Sequence, residues 1–391
     1  AELTTILVAK ADLRKITALK TKANDQVPCL KRIITMENVS EEEKKAAEEG
    51  GVQVLSLAEV MARGKANPAP HSPPKPDDVC TFCYTSGTTG DPKGAMLTHA
   101  NIMAVSSAAF YQGVRLEADD VHISYLPAAH VFERLVATAV TMGGGAIGFF
   151  QGNVQKITED LKALRPTIFP SVPRLFNKGI KKTLFNKGYN SKVHHLKKNH
   201  LHHRFWDKLV FSKVRARLGL DRVKFIATGS APIASHVMEF LRVVFGARVA
   251  EGYGQTECGG VCCLTDLADQ ASLGHVGGPL TCCEVRLVSV PEMGYNVSDT
   301  HHLRVVAADG TVTNPGVPCK GRGEEAIDSE GWLHTGDVGL WTPDGHLRII
   351  DRAKNIFKLS QGEYVAAEKV ENVFSRSQYV AQCFIYGDSL Q

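Results

Sequence analysis

No apolar run in the chain reaches the roughly 20 residues that a membrane-crossing helix needs. The longest candidate, residues 136–150, is too short and is broken by glycines at 143–145. No secretory leader opens the sequence, and Cys262-Cys263 and Cys282-Cys283 are poorly placed for a regular disulfide framework, so the ten cysteines point to a reducing compartment. The first residue is Ala1 rather than Met, and residues 3–9 are already strand-like, which leaves room for a preceding segment. No internal repeat is visible, which excludes solenoids and propellers. Aromatic residues are only 7%, while 35 glycines supply many tight turns, a balance that suits an α/β enzyme better than a helical bundle or a fibre. No nucleic-acid-binding module is recognisable, so a nucleic-acid partner is not expected.

What is present divides the chain. Residues 1–66 alternate strand-like and helical stretches, with strands at 5–9 and 52–57 and a helix at 41–49, and read as a piece of a large N-terminal domain. Residues 67–78, NPAPHSPPKPDD, are too proline-rich for a continuous helix and form an extended linker. A body over 79–351 follows, with strand candidates at 79–85, 121–126, 146–150, 167–170, 223–228 and 347–351 and helices between them, the pattern of a largely parallel, layered sheet. A polar joint at Arg352 opens a second, small α+β domain over 352–391. Cys80 and Cys83 have the C-x-x-C spacing of a redox or zinc site, but they lie in an apolar strand, where positions three apart face opposite sides, so buried strand cysteines are the favoured reading.

The formal charge of +4 conceals an asymmetry: residues 174–224 hold 15 Lys and Arg against Asp207 and Asp221, a net +13, leaving −9 elsewhere. That segment is a candidate surface for anionic membranes or substrates, with Phe205, Trp206 and Leu209 either entering the interface or packing in the core, the core reading favoured. Histidines 194, 195, 200, 202 and 203 lie among lysines with no acidic or cysteine partner in sequence, and read as a solvated basic face rather than a metal site.

The sharpest motif is YTSGTTGDPKG over 84–94, with four Ser/Thr, three glycines and Lys93 directly after an apolar strand. Glycines let backbone N–H groups approach an anion, hydroxyls add donors, and lysine adds a mobile charge, a composition suited to ATP phosphates. Lys93 follows Pro92 and precedes Gly94, so this is not a Walker A loop.

With this loop the sequence resembles the adenylate-forming superfamily, and residues 84–101 resemble its long-chain acyl-CoA synthetase branch. Four further segments match in the same order: LPAAHVFER at 126–134, TGSAPI at 228–233, EGYGQTEC at 251–258 and GWLHTGD at 331–337, the last running into 351–368. The resemblance implies an α/β fold of layered parallel and mixed sheets, followed by the start of a small C-terminal domain. It implies that a long-chain fatty acid is joined to ATP as an acyl-adenylate with loss of pyrophosphate, and is then passed to coenzyme A with release of AMP.

By resemblance, Thr85, Ser86, Gly87, Thr88, Thr89, Gly90 and Lys93 grip the β- and γ-phosphates, Glu257 is the Mg²⁺ carboxylate and Thr256 the α-phosphate contact. Tyr253 packs on adenine beside Gly254, with the backbone of Gly229, Ser230 and Ala231 on the other side; Asp337 accepts the ribose hydroxyls and Arg352 is a second nucleotide contact. His130 abuts the acyl carboxylate or merely caps a helix, and Lys354 is the hinge or part of a solvated charge cluster. Residues 357–364 supply the loop that enters for the thioester step. The implied location is intracellular, on the cytosolic face of the endoplasmic reticulum, the mitochondrial outer membrane or the peroxisome. Residues 296–325 and 174–203 depart from the family pattern, and the chain stops at Gln391, before the family's adenylating lysine. A ligase for another carboxylic acid, or a catalytically impaired nucleotide- or lipid-binding relative, is the alternative, and turnover is expected to suffer more than nucleotide binding.

Overall fold

The computed structural model describes residues 3–21, 27–85, 93–170, 182–291, 296–302, 305–306, 312–314, 317–318, 322–324, 331–353, 356–358, 364–366, 370–371, 374, 383 and 385. The chain divides into two units, Ala1–Pro74 and Lys75–Gln391, the division falling inside the proline-rich stretch.

The first unit alternates β1 (Thr5–Val8), α1 (Leu13–Thr21), β2 (Arg32–Thr35), α2 (Glu41–Glu48), β3 (Gln53–Ser56) and α3 (Leu57–Ala66). Its strands are parallel in the order β1-β2-β3, Ile33 facing both Ile6 and Val54. Both α2 and α3 begin at a serine with glutamate three residues on. The Ser40 and Ser56 hydroxyls accept the Glu43 and Glu59 N–H groups, and those carboxylates accept the serine N–H groups in return. Leu13, Leu30, Ile33, Val52 and Val54 form the core.

The second unit opens with an antiparallel hairpin of β4 (Val79–Thr85) and β5 (Lys93–Thr98), then α4 (His99–Tyr111), capped by Thr98 and Asn101. There follow β6 (Val121–Ser124), α5 (Val131–Met142), β7 (Ala146–Phe149), α6 (Ile157–Leu164), β8 (Ile168–Pro170), α7 (Lys182–Leu196), the single turn α8 (Arg204–Trp206), α9 (Ser212–Leu218), β9 (Phe225–Thr228), α10 (Ser235–Phe245) and β10 (Arg248–Tyr253). With β11 (Cys263–Leu264) and β12 (Gly278–Pro279) they build a seven-stranded sheet in the order β12-β11-β10-β9-β8-β6-β7. The five strands β6 to β10 run parallel and the two at the β10 edge antiparallel, so the fold is α/β with a mixed sheet.

Alternate residues of the strands feed two apolar layers. Ile123, Phe169, Ile226 and Val249 meet Phe211, Leu241 and Phe245 on one face. Ile168, Phe225 and Ala227 point instead toward α4 and α5. Glu133 of α5 reaches His122 of β6 at 2.9 Å with both side chains buried, which sets the helix on the sheet.

Two sequence expectations shift here. The strand at 79–85 lies in the β4–β5 hairpin, not in the parallel sheet. Its alternation is that of a one-sided ribbon, with Phe82 and Tyr84 exposed and Cys83 buried. Cys80 and Cys83 do not face opposite sides: a bulge between Val79 and Thr81 turns both toward the cluster of Leu97, Ile102 and Leu135.

The strands β13 (His301–His302), β14 (Val305–Val306), β15 (Val312–Asn314) and β16 (Val317–Pro318) pair as two short ribbons. Next, β17 (Arg322–Glu324), β18 (Asp337–Trp341) and β19 (Leu347–Arg352) make a three-stranded antiparallel sheet, and β20 (Ile356–Lys358) pairs with β21 (Tyr364–Ala366). A bridge between Gly277 and Leu347 ties the β18–β19 hairpin to the loop before β12.

The basic segment is only partly a free surface. Lys192, 1% exposed, and Arg215 both bond Asp207, at 2.8 and 3.1 Å. Trp206 packs in the core, whereas Phe205 and Leu209 are exposed. His195 is half-buried against His203, which caps α8, and among the described residues no His, Cys, Asp and Glu cluster is arranged to hold a metal ion.

Arg242 of α10 is 1% exposed and has no carboxylate in contact. Its guanidinium donates to the carbonyls of Gln270 and Ser272, both at 2.7 Å, and of Val249 at 3.2 Å. The Val249 N–H in turn donates to Gln270 Oε1 at 3.0 Å. Arg242→Ala leaves three carbonyls short of donors in a buried site and is expected to lower stability by about 3 kcal/mol or more, read from urea unfolding midpoints. A loss within 0.5 kcal/mol would contradict this assignment.

Candidate active site

Strands β9 and β10 deliver their carboxyl ends side by side, the position where open α/β sheets place ligands. The turn after β9 is shaped by backbone crowding. A Cβ on Gly229 would meet the Gly252 carbonyl at 2.9 Å, and Ser230 adopts φ +66°, a left-handed conformation uncommon outside glycine. A Cβ on Gly254 would come within 2.7 Å of the Gly260 carbonyl, so the turn after β10 also requires its glycine.

Between these turns lies a cavity of about 480 Å³ lined by Ser230, Ala231, Tyr253, Gly254, Asp337 and Arg352, together with Glu251, Gln255 and His275. Six of the expected nucleotide residues, more than 100 positions apart in sequence, thus share one wall set. Asp337, 5% exposed, is the node. Its Oδ2 accepts from Tyr253 Oη at 2.8 Å and Gln255 Nε2 at 2.9 Å, while Oδ1 faces Arg352 Nε at 3.3 Å. Gln255 also donates to the Thr335 carbonyl at 2.7 Å, locking the turn after β10 to the start of β18. A carboxylate so clasped is held in one orientation and keeps lone pairs for donors such as sugar hydroxyls.

Glu257 is placed apart. It projects, exposed, from the turn Thr256–Cys258 into an adjoining cavity of about 500 Å³ that also contains Asn101 and Thr335. The strand β5 packs against that turn. His130 caps α5, its Nδ1 accepting the Phe132 N–H at 3.2 Å. Thr85 ends β4. Ser86, Gly87, Thr88, Thr89, Gly90 and Lys354 lie outside the described residues, as does the side chain of Lys93.

Sequence reasoning passed over Gln255, although it stands inside the 251–258 segment, and over Glu251, one step ahead of its glycines. Glu251 is 7% exposed and its Oε1 accepts only the Ile233 N–H, at 3.3 Å. Burial pushes its carboxyl up to about 7, against the pull of that N–H and of Arg242. Since the folded pKa lies above the unfolded one, the stability it contributes is present below about pH 4.5 and is lost as pH rises through 7. Glu251→Gln is expected to remove this slope. Between pH 5 and 8 the parent should lose about 2 kcal/mol more than the variant, measured by urea unfolding without nucleotide. Parallel pH profiles would show that Glu251 does not titrate there.

The AMP-binding enzyme family model matches residues 1–300. The chain is 46% identical over 380 residues to long chain acyl-CoA synthetase 6, peroxisomal, of Arabidopsis thaliana, an alignment covering 93% of this chain and 54% of that protein. It is 45% identical over 380 residues to long-chain-fatty-acid–CoA ligase 5 of Mus musculus, covering 93% of this chain and 55% of that one. The chain thus spans about half the length of these curated relatives. Among solved structures, the A domain of carboxylic acid reductase from Segniliparus rugosus, in complex with AMP and a co-purified carboxylic acid, superposes with a TM-score of 0.69 at 24% identity, covering 99% of this chain and 61% of that one. The O-succinylbenzoate coenzyme A synthetase of Bacillus subtilis, in complex with ATP and magnesium ion, gives 0.57 at 18% identity, covering 97% and 75%. These likenesses establish the shared fold, and with its first 300 residues matched by the family model, the chain belongs to the AMP-binding enzyme family.

Proposed function

We propose that the protein activates a long-chain fatty acid with ATP, forming an acyl-adenylate and pyrophosphate, and passes the acyl group to coenzyme A with release of AMP. The observation that carries this reading is Asp337, held by Tyr253, Gln255 and Arg352 at the carboxyl ends of β9 and β10. In this reading Asp337 accepts the ribose hydroxyls and Arg352 steadies it. Tyr253 and Gly254 pack one side of adenine and the backbone of Gly229, Ser230 and Ala231 the other. Thr85, Ser86, Gly87, Thr88, Thr89, Gly90 and Lys93 hold the β- and γ-phosphates, and Thr256 the α-phosphate.

Glu257 alone, exposed and oxygen-bearing, suits Mg²⁺, which binds through one or two carboxylates plus substrate phosphates rather than in an all-protein cage. The ion would offset the charge that builds as one anion attacks another. The acid's carboxylate attacks the α-phosphorus and pyrophosphate leaves. The coenzyme A thiol then attacks the acyl carbonyl and AMP leaves, with Lys354 as the hinge between the two steps.

An apolar slot of about 90 Å³ lies between α4, α5 and the sheet, where Val105, Leu135, Val136, Ala139 and Ala227 face one another; it has room for only a small part of a long acyl chain. Among the described residues its one polar side chain is Ser106, whose buried hydroxyl has no hydrogen-bond partner there. His130 caps the helix that forms one side of this slot, consistent with a place beside the acyl carboxylate. The names of the fatty acid–CoA ligase relatives support a long chain. An intracellular site on an organelle surface is supported by free thiols at every described cysteine and by the peroxisomal name of one relative.

Three measurements test the reading. Acid-dependent ATP–pyrophosphate exchange, measured on the full-length protein, should rise with acyl length, and no dependence on added acid would remove the assignment. Asp337→Ala should weaken AMP binding about 10- to 100-fold by calorimetry, because a charge-assisted pair of bonds is lost. Glu257→Ala should abolish the magnesium dependence of ATP binding and leave AMP binding unchanged; retained dependence means the metal is held elsewhere. For the basic surface, the exposed Phe205 and Leu209 beside Arg204 and Lys208 favour anionic lipid. Flotation with anionic vesicles at low salt should capture the protein, and 0.5 M salt should release it.

A further inference from the structure

The nucleotide cavity has a wall that none of the assigned residues builds, the loop 270–277. His275, 7% exposed, is at its centre. The Gly277 N–H donates to His275 Nδ1 at 3.0 Å, so in the neutral ring the proton sits on Nε2, which donates to Ser272 Oγ at 2.7 Å. The ring also stacks on His346, with centroids 4.1 Å apart and planes 8° from parallel. Around it the loop is laced to β19: Val276 N–H donates to the Leu347 carbonyl at 2.8 Å, Leu347 N–H to the Gly277 carbonyl at 2.7 Å, and Arg348 Nε to the Gly274 carbonyl at 2.7 Å. The far end of β19 carries Arg352 and pairs with Asp337 of β18.

We propose that His275 is a positioning residue for nucleotide binding: its neutral imidazole folds the 272–277 loop into the cavity wall and registers the β18–β19 hairpin, and with it Asp337 and Arg352, against β10. The proposal rests on the nucleotide reading of this cavity. The groups that face the ring are His346 and Arg348 from the hairpin, Arg242 from α10 and Asp269 from the loop. Burial first, then the three basic neighbours, pulls its pKa down to about 4, which keeps Nδ1 an acceptor at neutral pH. No reacting atom is assigned to His275; it acts through the loop.

The experiment compares His275→Asn, whose amide oxygen replaces the Nδ1 acceptor, with His275→Gln, whose longer side chain reaches toward Ser272 but not Gly277, and with His275→Ala. AMP dissociation constants are measured by calorimetry, and amide hydrogen exchange at Val276, Gly277 and Leu347 without ligand. The Ala and Gln variants should lose about tenfold in AMP affinity and expose the Leu347 and Val276 amides, while Asn restores most of both. Equal behaviour of Asn and Gln, or unchanged exchange in the Ala variant, would overturn the proposal. Should the Ala variant not fold, the Asn and Gln pair carries the comparison, and Ser272→Ala, which removes only the Nε2 partner, should lose two- to threefold. If the parent protein binds no AMP at all, the nucleotide reading fails, while the exchange data still decide whether His275 registers the hairpin.

Discussion

One buried cation holds the nucleotide half of the second unit together. Arg242 donates its hydrogen bonds to backbone carbonyls, joining the loop at Gln270 and Ser272 to the first residues of β10. Burial lowers its pKa to about 10, so the group remains charged at any physiological pH. A guanidinium suits this place because its planar fork presents donors in fixed directions to acceptors on two separate segments at once, whereas an ammonium is a single compact point charge. The loop it anchors then supplies Ser272, Gly274, His275 and Gly277, through which the β18–β19 hairpin meets the large sheet.

The hairpin brings Asp337 and Arg352 to a cavity whose other walls come from β9 and β10. The contacts there are short, polar and partly buried; those from Tyr253 and Gln255 cross between elements far apart in the chain, and that from Arg352 comes from the neighbouring strand of the hairpin. Their combined effect is preorganisation: Asp337 is already oriented by three donors from its own protein before any ligand arrives. The apolar slot against α4 and α5 is different in character, with no polar contact except the unpaired Ser106 hydroxyl. Between the two runs the turn Thr256–Cys258 and the glycines after it. Gly260, at φ +106°, would press a Cβ within 2.7 Å of Leu135 in the slot wall. This turn therefore packs on both the Asp337 cavity side and the apolar slot.

Much of this was legible beforehand for identifiable reasons. The strands β6, β7, β8 and β9 are short apolar runs with turn residues at both ends, and a buried parallel sheet leaves that trace in any sequence. Ser230, Ala231, Tyr253, Gly254, Asp337 and Arg352 stand in motifs whose resemblance to the family implied a shared site, and they line one cavity. The hairpin β4–β5 was not legible, because its alternation resembles that of a sheet strand and only the reversal after Thr85 separates the two. The opposite facing of Cys80 and Cys83 failed on a bulge, a one-residue event with no marker in composition.

Residue type and local spacing alone therefore determined the α/β alternation, the serine–glutamate caps of α2 and α3 and the glycines of the two site turns. Only the tertiary structure decided that Glu251 and His275 are buried against the cavity, that Gln255 and Tyr253 both bond Asp337, and that Glu257 opens into a neighbouring space. The physical reason is range. Helix caps and turn glycines act within a few residues, whereas burial and the partners of a carboxylate depend on which distant segments the packed core brings together.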